Sequence, residues 1–309
     1  MSDVKSPRVA VRVPAKINLN LSVGPIRKDG FHDVATVYQS ISLFDEVTAE
    51  FGPSDSGITI SVGGEFIAGV PVDETNLACQ AADMIAKEMR MTPDIALHIN
   101  KAIPVAAGMA GGSADAAAAL MAVEQLLGGN LGRARLNQFA VELGSDVPFA
   151  LTGGTAIGSG RGEALSPALA RGEYHWVLVI SNQGLSTPAV YAECDRLRQG
   201  RQISPPRVTD ALMHALRNGD SQALGSALMN DLQSAACSLR PALRLLLDVG
   251  EEYGALGSIV SGSGPTVAFL ARDSEHALDL TVALSASGVA GQILRAVGPT
   301  PGARIIESR

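Results

Sequence analysis

The feature that most restricts the fold of this chain is a glycine- and alanine-rich segment at residues 104–117, placed between two regular patterns. Before it, apolar residues alternate with others over residues 95–99, which predicts a β-strand. After it, an alanine-rich run over residues 113–127 predicts an α-helix. Glycines let backbone N–H groups approach a ligand, and the first turn of a helix adds unpaired donors at the positive end of its dipole. The segment therefore predicts an anion site suited to a di- or triphosphate, with the Ser113 hydroxyl available to a phosphate or its magnesium ion.

A second interpretation of this segment needs no ligand, because glycine and alanine at a helix start also allow tight packing. Two standard nucleotide motifs are absent from the chain. It has no Gly-Lys dipeptide, which excludes a Walker A loop, and no Gly-x-Gly-x-x-Gly run, which excludes the Rossmann fingerprint. The physical requirements for phosphate binding are met without either motif.

The rest of the chain mixes strand and helix patterns in both halves. The predicted strands are 9–13 and 17–22, joined by a bend at 14–16, two within 48–62, then 95–99, 175–180, 258–261, 266–270 and 292–296. The predicted helices are 76–89, 113–127, 133–143, 188–197, 208–216, 221–228, 241–249 and 274–286. Strands come first in the N-terminal half, which favours an α+β fold over a doubly wound sheet. The length of 309 residues favours two domains, and a boundary near 167–172 gives domains 1–170 and 171–309.

Composition excludes several classes of protein. The chain is 46% hydrophobic and 18% charged, which argues against disorder, and its net charge of −7 argues against a nucleic-acid partner. The first 14 residues lack the apolar core of a signal peptide, and no uncharged apolar run could span a bilayer. Cys79, Cys194 and Cys237 lie far apart, which fits a reducing compartment. We therefore expect a cytoplasmic protein with neither a nucleic-acid nor a membrane partner.

Three further segments contain candidate catalytic or ligand-binding side chains. Lys16 and Asn18 share one face of a predicted strand, although a lysine there could also extend along the surface to water. Asp146 precedes an apolar Val-Pro-Phe run, where it is either a cap or turn residue or a carboxylate set in an apolar pocket beside a lysine. Residues 258–266 form a Gly/Ser loop between short strands, for which a tight hairpin is the simpler alternative. Ser261 stands where a Gly-x-Ser-x-Gly nucleophile elbow has its first glycine, so this loop is not such an elbow.

In this order the segments resemble the signature of the GHMP kinase superfamily, which includes galactokinase, homoserine kinase, mevalonate kinase and phosphomevalonate kinase. Its three signature regions match residues 14–18, 104–117 and 258–266, so the resemblance covers nearly the whole chain. Gly30-Phe31-His32 and the 144–149 run Gly-Ser-Asp-Val-Pro-Phe, together with residues 14–19 and 258–265, resemble the members that act in the non-mevalonate isoprenoid pathway. The Ala-Ala-Gly-Met-Ala-Gly-Gly-Ser form of the loop at 106–113 resembles their actinobacterial version. The resemblance implies an N-terminal domain like ribosomal protein S5 domain 2, a ferredoxin-like C-terminal domain and a site in the cleft between them.

The resemblance also implies roles for residues. Lys16 and Asp146 match the catalytic pair of these ATP- and Mg²⁺-dependent enzymes, and Asn18 matches the asparagine beside them. Phe31 and His32 match an element that holds the cytosine of a cytidine diphosphate group, and the region with Thr187 and Tyr191 adds a second aromatic ring, although His32 alone could be a solvated loop residue. The ATP phosphate loop would comprise Pro104, Val105, Ala106, Ala107, Gly108, Met109, Ala110, Gly111, Gly112, Ser113 and Ala114, with Ser113 also a metal ligand.

The loop departs from the commoner family pattern at Ala106 and Ala110, where glycine is usual, and at Ala114, where serine is usual. Phosphate binding survives if the first two alanines keep negative φ, because their backbone N–H groups remain. The missing hydroxyl at Ala114 leaves the metal ligands open. A mevalonate- or homoserine-type kinase and a nucleotide-binding regulator without chemistry are the alternative functions, and the expected assembly is a monomer or weak homodimer.

Overall fold

The computed structural model describes residues 7–181, 183–288 and 291–309. Residues 1–6, part of the segment in which no signal peptide is expected, lie outside the described residues. The strands are β1 (Arg8–Ile26), β2 (His32–Phe51), β3 (Ile58–Gly64), β4 (Ile95–Lys101), β5 (Thr155–Ser159), β6 (Ala164–Pro167), β7 (Tyr174–Ile180), β8 (Met229–Asn230), β9 (Gly257–Val260), β10 (Val267–Ala271), β11 (Gln292–Gly298) and β12 (Arg304–Ser308). The helices are α1 (Leu77–Glu88), α2 (Gly111–Leu126), α3 (Gly132–Leu143), α4 (Val147–Thr152), α5 (Thr187–Leu197), α6 (Asp210–Asn218), α7 (Ser221–Ala227), α8 (Gln233–Leu239), α9 (Ala242–Glu252) and α10 (Ser274–Ala286).

The first half of the chain forms most of an eight-stranded mixed sheet whose central path runs β12-β1-β2-β4-β3. The prediction of two separate strands at 9–13 and 17–22 is wrong, because β1 is continuous. Its register with β2 shifts between Pro14 and Ala15. Proline has no N–H for a ladder hydrogen bond, and a bulge is where a strand tolerates it. Lys16 and Asn18 therefore lie inside one long strand.

The alanine-rich helix α2 is the centre of the first core. It packs against β1 and β2 as well as α1 and α4. Its buried alanines include Ala116, Ala117, Ala118 and Ala119, each fully buried. Small side chains on several faces let a helix approach both the sheet and neighbouring helices, so the helix can be surrounded while its N-terminus stays at the edge of a groove.

The second half builds a four-stranded antiparallel sheet in the order β11-β7-β10-β9. In chain order β7, β9, β10 and β11 occupy positions 2, 4, 3 and 1 of this sheet, with helices in the first and last connections. This is the β-α-β-β-α-β arrangement of a ferredoxin-like domain, as expected. The short β8 and the final β12 both pair with β1 of the first sheet. A division of the chain at residue 170 stays a prediction.

Across the ranges that the structure describes, no helix is both long and apolar enough to cross a membrane.

Candidate active site

A lysine and an aspartate from distant parts of the chain face each other in a groove of about 440 Å³. Lys16 Nζ lies 3.8 Å from Asp146 Oδ2. Only 7% of Lys16 is exposed, so the alternative of a surface lysine is wrong. Burial lowers the pKa of Lys16, and the negative charge of Asp146 partly offsets that effect. The pair thus places a carboxylate beside a cation that is easier to deprotonate than an ordinary lysine.

Two other groups hold the Lys16 ammonium in place. It donates hydrogen bonds to Asn18 Oδ1 at 2.7 Å and to Gly108 O at 3.0 Å. Asn18 in turn donates from Nδ2 to Thr36 Oγ1 at 2.8 Å. Both ends of the Asn18 amide are therefore engaged within the protein, and Asn18 lines the groove while orienting the lysine.

Asp146 occupies the N-cap position of α4, but its carboxylate accepts no capping hydrogen bond from the described part of the chain. Its side chain is 30% exposed and lines the groove. The α4 helix starts with the buried residues Val147, Pro148 and Phe149, which anchor the backbone on the apolar side. The carboxylate is therefore fixed by its backbone while its oxygens remain accessible, which favours the pocket alternative over the capping one.

The glycine- and alanine-rich loop forms the opposite wall of the groove. The groove is lined there by Ala106, Ala107, Gly108, Ala110, Gly111, Gly112 and Ser113. Because α2 begins at Gly111, the unpaired N–H groups of its first turn lie at this wall. Met109 and Ala114 are buried in the hydrophobic core, so only their backbone could reach a ligand. Pro104 is buried, and Val105 lies on a separate neighbouring cavity.

Sequence reasoning made negative φ at Ala106 and Ala110 a condition for their part in phosphate binding, and the structure does not meet that condition. Their φ angles are 51° and 60°, in the left-handed region that glycine prefers. An alanine there brings Cβ against a carbonyl oxygen and costs about 1–2 kcal/mol. Ala110 is also the N-cap of α2, and its carbonyl accepts the hydrogen bond from Ala114 N at 2.9 Å that starts the helix. The loop thus takes a backbone conformation typical of glycine at two positions that carry alanine.

The Gly/Ser loop at 258–266 closes the groove from the second domain. Ser261 Oγ donates to Gly108 O at 3.0 Å. A Cβ built on Gly262, whose φ is 57°, would lie 3.4 Å from both Lys16 Nζ and Gly108 O. The loop does connect the antiparallel strands β9 and β10, so the hairpin interpretation is also right. A hairpin without a side chain at residue 262 is what lets the second domain approach the lysine.

A second cavity, of about 420 Å³, contains the residues expected to hold a base. Phe31, which is 48% exposed, and Tyr191 both line this cavity. His32 is only 7% exposed, so the solvated-loop alternative is wrong. Its Nδ1 lies 2.9 Å from Gly24 O, its Nε2 lies 3.3 Å from Asp195 Oδ2, and its ring centroid is 5.3 Å from that of Tyr191.

The two cavities are adjacent and share part of their lining. The residues that line both are Val34, Ser145, Arg161, Thr187 and Tyr191. Thr187 also connects the start of α5 to the Gly/Ser loop, since its Oγ1 lies 2.8 Å from Ser263 Oγ. One elongated molecule could therefore occupy both spaces, with one end between aromatic rings and the other beside Lys16 and Asp146.

Sequence reasoning missed a buried charged cluster behind the loop. Lys101 donates to Asp115 Oδ2 at 2.8 Å and also to Asp45, and all three side chains are almost fully buried. Asp45 Oδ1 accepts hydrogen bonds from the N–H groups of Ala102 and Ile103, at 2.6 and 2.8 Å. Burial raises the pKa of Asp115 to about 7; Lys101 opposes the rise and Asp45 adds to it. The available signal was a lysine at the end of a strand, directly before the apolar run Ala102-Ile103-Pro104.

Tyr38 was also missed, although it lines the groove. Its side chain is nearly buried, and its ring centroid lies 5.6 Å from Lys16 Nζ. Burial raises the pKa of the Tyr38 hydroxyl well above its usual range, and the negative charge of Asp146 raises it further. The hydroxyl packs against the turn at Gly162, where a Cβ would lie 2.3 Å from it.

A third cavity of about 240 Å³ lies on the other side of the loop. Its lining includes Gly69, Val70, Pro71, Thr75, Asn76, Leu77, Lys101, Val105, Gly112 and Asp115. Gly112 lines this cavity and the groove alike. A ligand that places phosphates against the loop could therefore extend an attached group into this mostly apolar space.

The fold, the glycine- and alanine-rich loop at the start of α2 and the Lys16–Asp146 pair together indicate a small-molecule kinase. Residues 76–154 match the GHMP kinases N terminal domain and residues 212–290 match the GHMP kinases C terminal domain. The chain belongs to the GHMP kinases.

Several proteins similar to this chain carry the name of one particular GHMP kinase. A 4-diphosphocytidyl-2-C-methyl-D-erythritol kinase of Nocardia farcinica is 52% identical over 309 residues, covering 99% of both chains. One of Thermobifida fusca is 50% identical over 305 residues, covering 96% of this chain and 98% of its own. A crystal structure of 4-(cytidine 5'-diphospho)-2C-methyl-D-erythritol kinase superposes with a TM-score of 0.73 at 30% identity, covering 93% of this chain and 98% of that one. Mevalonate kinase of L. major, at TM-score 0.77 and 18% identity over 96% and 98% of the two chains, shares the fold.

Proposed function

We propose that this protein transfers the γ-phosphoryl group of ATP to the 2-hydroxyl of 4-diphosphocytidyl-2-C-methyl-D-erythritol, giving the 2-phosphate and ADP in the non-mevalonate pathway to isoprenoid precursors. The observation that carries the proposal is that the aromatic cavity and the groove with Lys16 and Asp146 share five lining residues. A substrate with a cytidine at one end and a hydroxyl at the other needs such a site.

The groove fits the phosphates of ATP. An added Cβ at Gly112 would meet no atom within 4 Å, so there is open space in front of the first turn of α2. Backbone N–H groups and the helix dipole would neutralise part of the phosphate charge. The adenosine would extend past Gly112 into the neighbouring cavity, which offers apolar surface and the polar side chains of Thr75 and Asn76.

Magnesium would be held mainly by the nucleotide. Within the described ranges there is no cluster of three or more His, Cys, Asp or Glu residues that could hold a metal ion. This donor set suits Mg²⁺, which usually keeps several waters and binds through substrate phosphates. Ser113 lines the groove in the first turn of α2 and is the side chain we assign to the ion. Bound there, Mg²⁺ would offset the charge of the phosphates.

Asp146 and Lys16 would act on the acceptor hydroxyl. Asp146 would accept its proton as the oxygen attacks the γ-phosphorus, and ADP leaves as the bond to the bridging oxygen breaks. Lys16 lies 3.8 Å from that carboxylate and would stabilise negative charge on the attacking oxygen. The hydrogen bonds from Lys16 to Asn18 and Gly108 hold the ammonium in place before the reaction, so little reorganisation is needed.

The cytidine would bind in the aromatic cavity. Phe31 and Tyr191 offer ring faces for stacking, and the His32 ring lies in the same lining with its nitrogens facing Gly24 O and Asp195 Oδ2. Neither mevalonate nor homoserine carries a base, so an enzyme for those acceptors would not need this cavity.

The test is an ADP-release assay that compares three acceptors. The protein is given ATP, Mg²⁺ and either 4-diphosphocytidyl-2-C-methyl-D-erythritol, mevalonate or homoserine at equal concentration. We expect ADP release with the cytidyl substrate alone. ADP release with mevalonate or homoserine instead would show that the proposed acceptor is wrong. ATP binding without turnover of any of the three acceptors would support a regulator without chemistry.

We also propose a cytoplasmic location, a small-molecule substrate and no nucleic-acid partner, in a monomer or weak homodimer. Its cysteines are buried thiols, which suits a reducing compartment, and the net charge of −7 would repel nucleic acid.

A further inference from the structure

Arg161 lies at the tip of the turn between β5 and β6, and the backbone of that turn is held firmly. Gly160 and Gly162 flank it with φ angles of 72° and 109°. The Gly160 carbonyl accepts a hydrogen bond from Val34 N at 2.8 Å. Arg161 N donates to Glu163 Oε2 at 2.7 Å. The exposed side chain of Arg161 therefore extends from a fixed point into the two cavities that it lines.

The guanidinium of Arg161 lies over an aromatic ring and, among the residues that the structure describes, forms no ion pair. Its Cζ lies 4.0 Å from the ring centroid of Phe31. Among the described residues no carboxylate oxygen lies within 4.0 Å of its nitrogens. Arg27, which also belongs to this end of the molecule, differs because it pairs with both Asp29 and Asp33. Arg161 thus carries a positive charge that the surrounding protein does not neutralise.

The position of Arg161 in the site indicates which ligand group could neutralise its positive charge. Of the residues common to the aromatic cavity and the groove, which are Val34, Ser145, Arg161, Thr187 and Tyr191, only Arg161 is a cation. A molecule with its base in the cavity and its acceptor hydroxyl beside Asp146 must pass its linking diphosphate through this junction. Arginine suits that role because its planar fork can donate two parallel hydrogen bonds to phosphate oxygens.

We propose that Arg161 binds the diphosphate that links the two ends of the substrate, which makes it a determinant of specificity for nucleoside diphosphate esters over nucleosides. The inference rests on the proposed function, since it assumes a base between Phe31 and Tyr191. The 4.0 Å contact keeps the guanidinium within reach of a phosphate attached to a nucleoside stacked on Phe31. Arg161 would thereby set the distance between the stacked base and the reacting hydroxyl.

The experiment compares the binding of cytidine and of cytidine 5'-diphosphate by calorimetry. The unmodified protein should bind the diphosphate more tightly than the nucleoside. Arg161→Gln keeps a polar side chain of similar length and removes the charge. We expect it to lose roughly 10- to 100-fold in affinity for the diphosphate, as for the loss of charge-assisted hydrogen bonds, and to change cytidine binding much less. Arg161→Lys should retain part of the preference, and added salt should reduce the preference of the unmodified protein.

Arg27→Gln is the matched control, because it removes a guanidinium that Asp29 and Asp33 already neutralise. It should leave the preference for the diphosphate intact. If Arg161→Gln keeps the full preference, the diphosphate site is wrong while the cytidine cavity stands. If the unmodified protein binds neither ligand, the cytidine cavity of the proposed function is wrong, and the inference about Arg161 is overturned with it.

Discussion

Lys16 Nζ and Asp146 Oδ2 are 3.8 Å apart, although their residues come from the first strand and from the start of a helix in the middle of the chain. The lysine is nearly buried and the carboxylate is partly open to the groove. Removing the carboxylate charge would leave the Lys16 ammonium bound to Asn18 Oδ1 and Gly108 O. The two residues can therefore be separated experimentally, which makes them the first test of the proposed chemistry.

Asp146→Asn should lower kcat by about 10²- to 10⁴-fold, the range for loss of a general base. Its fold should survive, because the side chain of Asp146 accepts no capping hydrogen bond in the described structure. ATP binding should change little, since the loop holds the phosphates. Lys16→Ala should also lower kcat, and the double variant should be little worse than the worse single one. A near-normal kcat for Asp146→Asn would show that proton transfer does not depend on this carboxylate.

Gly112→Val should abolish the rise in melting temperature that ATP and Mg²⁺ produce. An added Cβ at Gly112 meets nothing within 4 Å, so the variant should fold, and its side chain would fill the space of the phosphates. Gly111→Val is a poorer test, because a Cβ there would lie 3.1 Å from Lys101 Nζ and 3.2 Å from Ile103 Cγ2. Undiminished stabilisation of Gly112→Val by ATP would assign the loop a structural role.

Phe31→Ala should raise KM for the cytidyl substrate by roughly tenfold or more, because stacking of a base on an aromatic ring is worth about 1–3 kcal/mol. His32→Ala should also raise this KM before it affects KM for ATP. Steady-state kinetics with each substrate varied in turn separates the effects. Leu169→Ala, at an exposed position outside both cavity linings, is a control that should change neither KM. An equal rise of both KM values in His32→Ala would contradict the assignment to the base.

Asp115→Asn should flatten the dependence of stability on pH. In the folded protein, burial raises the pKa of Asp115 from 3.8 to about 7. The protonated Asp115 carboxyl therefore contributes to the free energy of unfolding below about pH 4, and this contribution is lost as the pH rises through 7. The reason is that Asp115 in the unfolded chain releases its proton at a lower pH than in the folded protein. Urea unfolding between pH 4 and 8 would measure the effect. Asp83→Asn, at a half-buried carboxylate in an i,i+4 pair with Lys87, is the control variant to be measured beside it. If Asp115→Asn leaves the pH dependence of stability unaltered, that dependence comes from other groups.

Much of the secondary structure was predictable because it is encoded in short-range periodicity. The helix predicted at 274–286 is α10 (Ser274–Ala286), and the helix predicted from residue 76 is α1, with the Asn76 side chain accepting from Ala78 N at its N-cap. The helix α8 and the strand β12 were missed, since both are short and β12 forms only by pairing with β1 from the other end of the chain. The periodicity of a segment indicates which of its residues are buried, but it does not indicate which distant segment packs against them.

The sequence by itself determined the candidates for chemistry: Lys16, Asp146, the phosphate loop and the Gly/Ser loop at 258–266 could all be named from spacing and resemblance. Tertiary structure alone decided how they are used. It placed Lys16 against Gly108 and Gly262, held Ala106 and Ala110 at positive φ, and left Arg161 without an acidic partner in the described chain. The reason is physical: residue type sets which interactions a side chain can make, whereas burial, strain and the neutralisation of a charge depend on neighbours that only folding brings together.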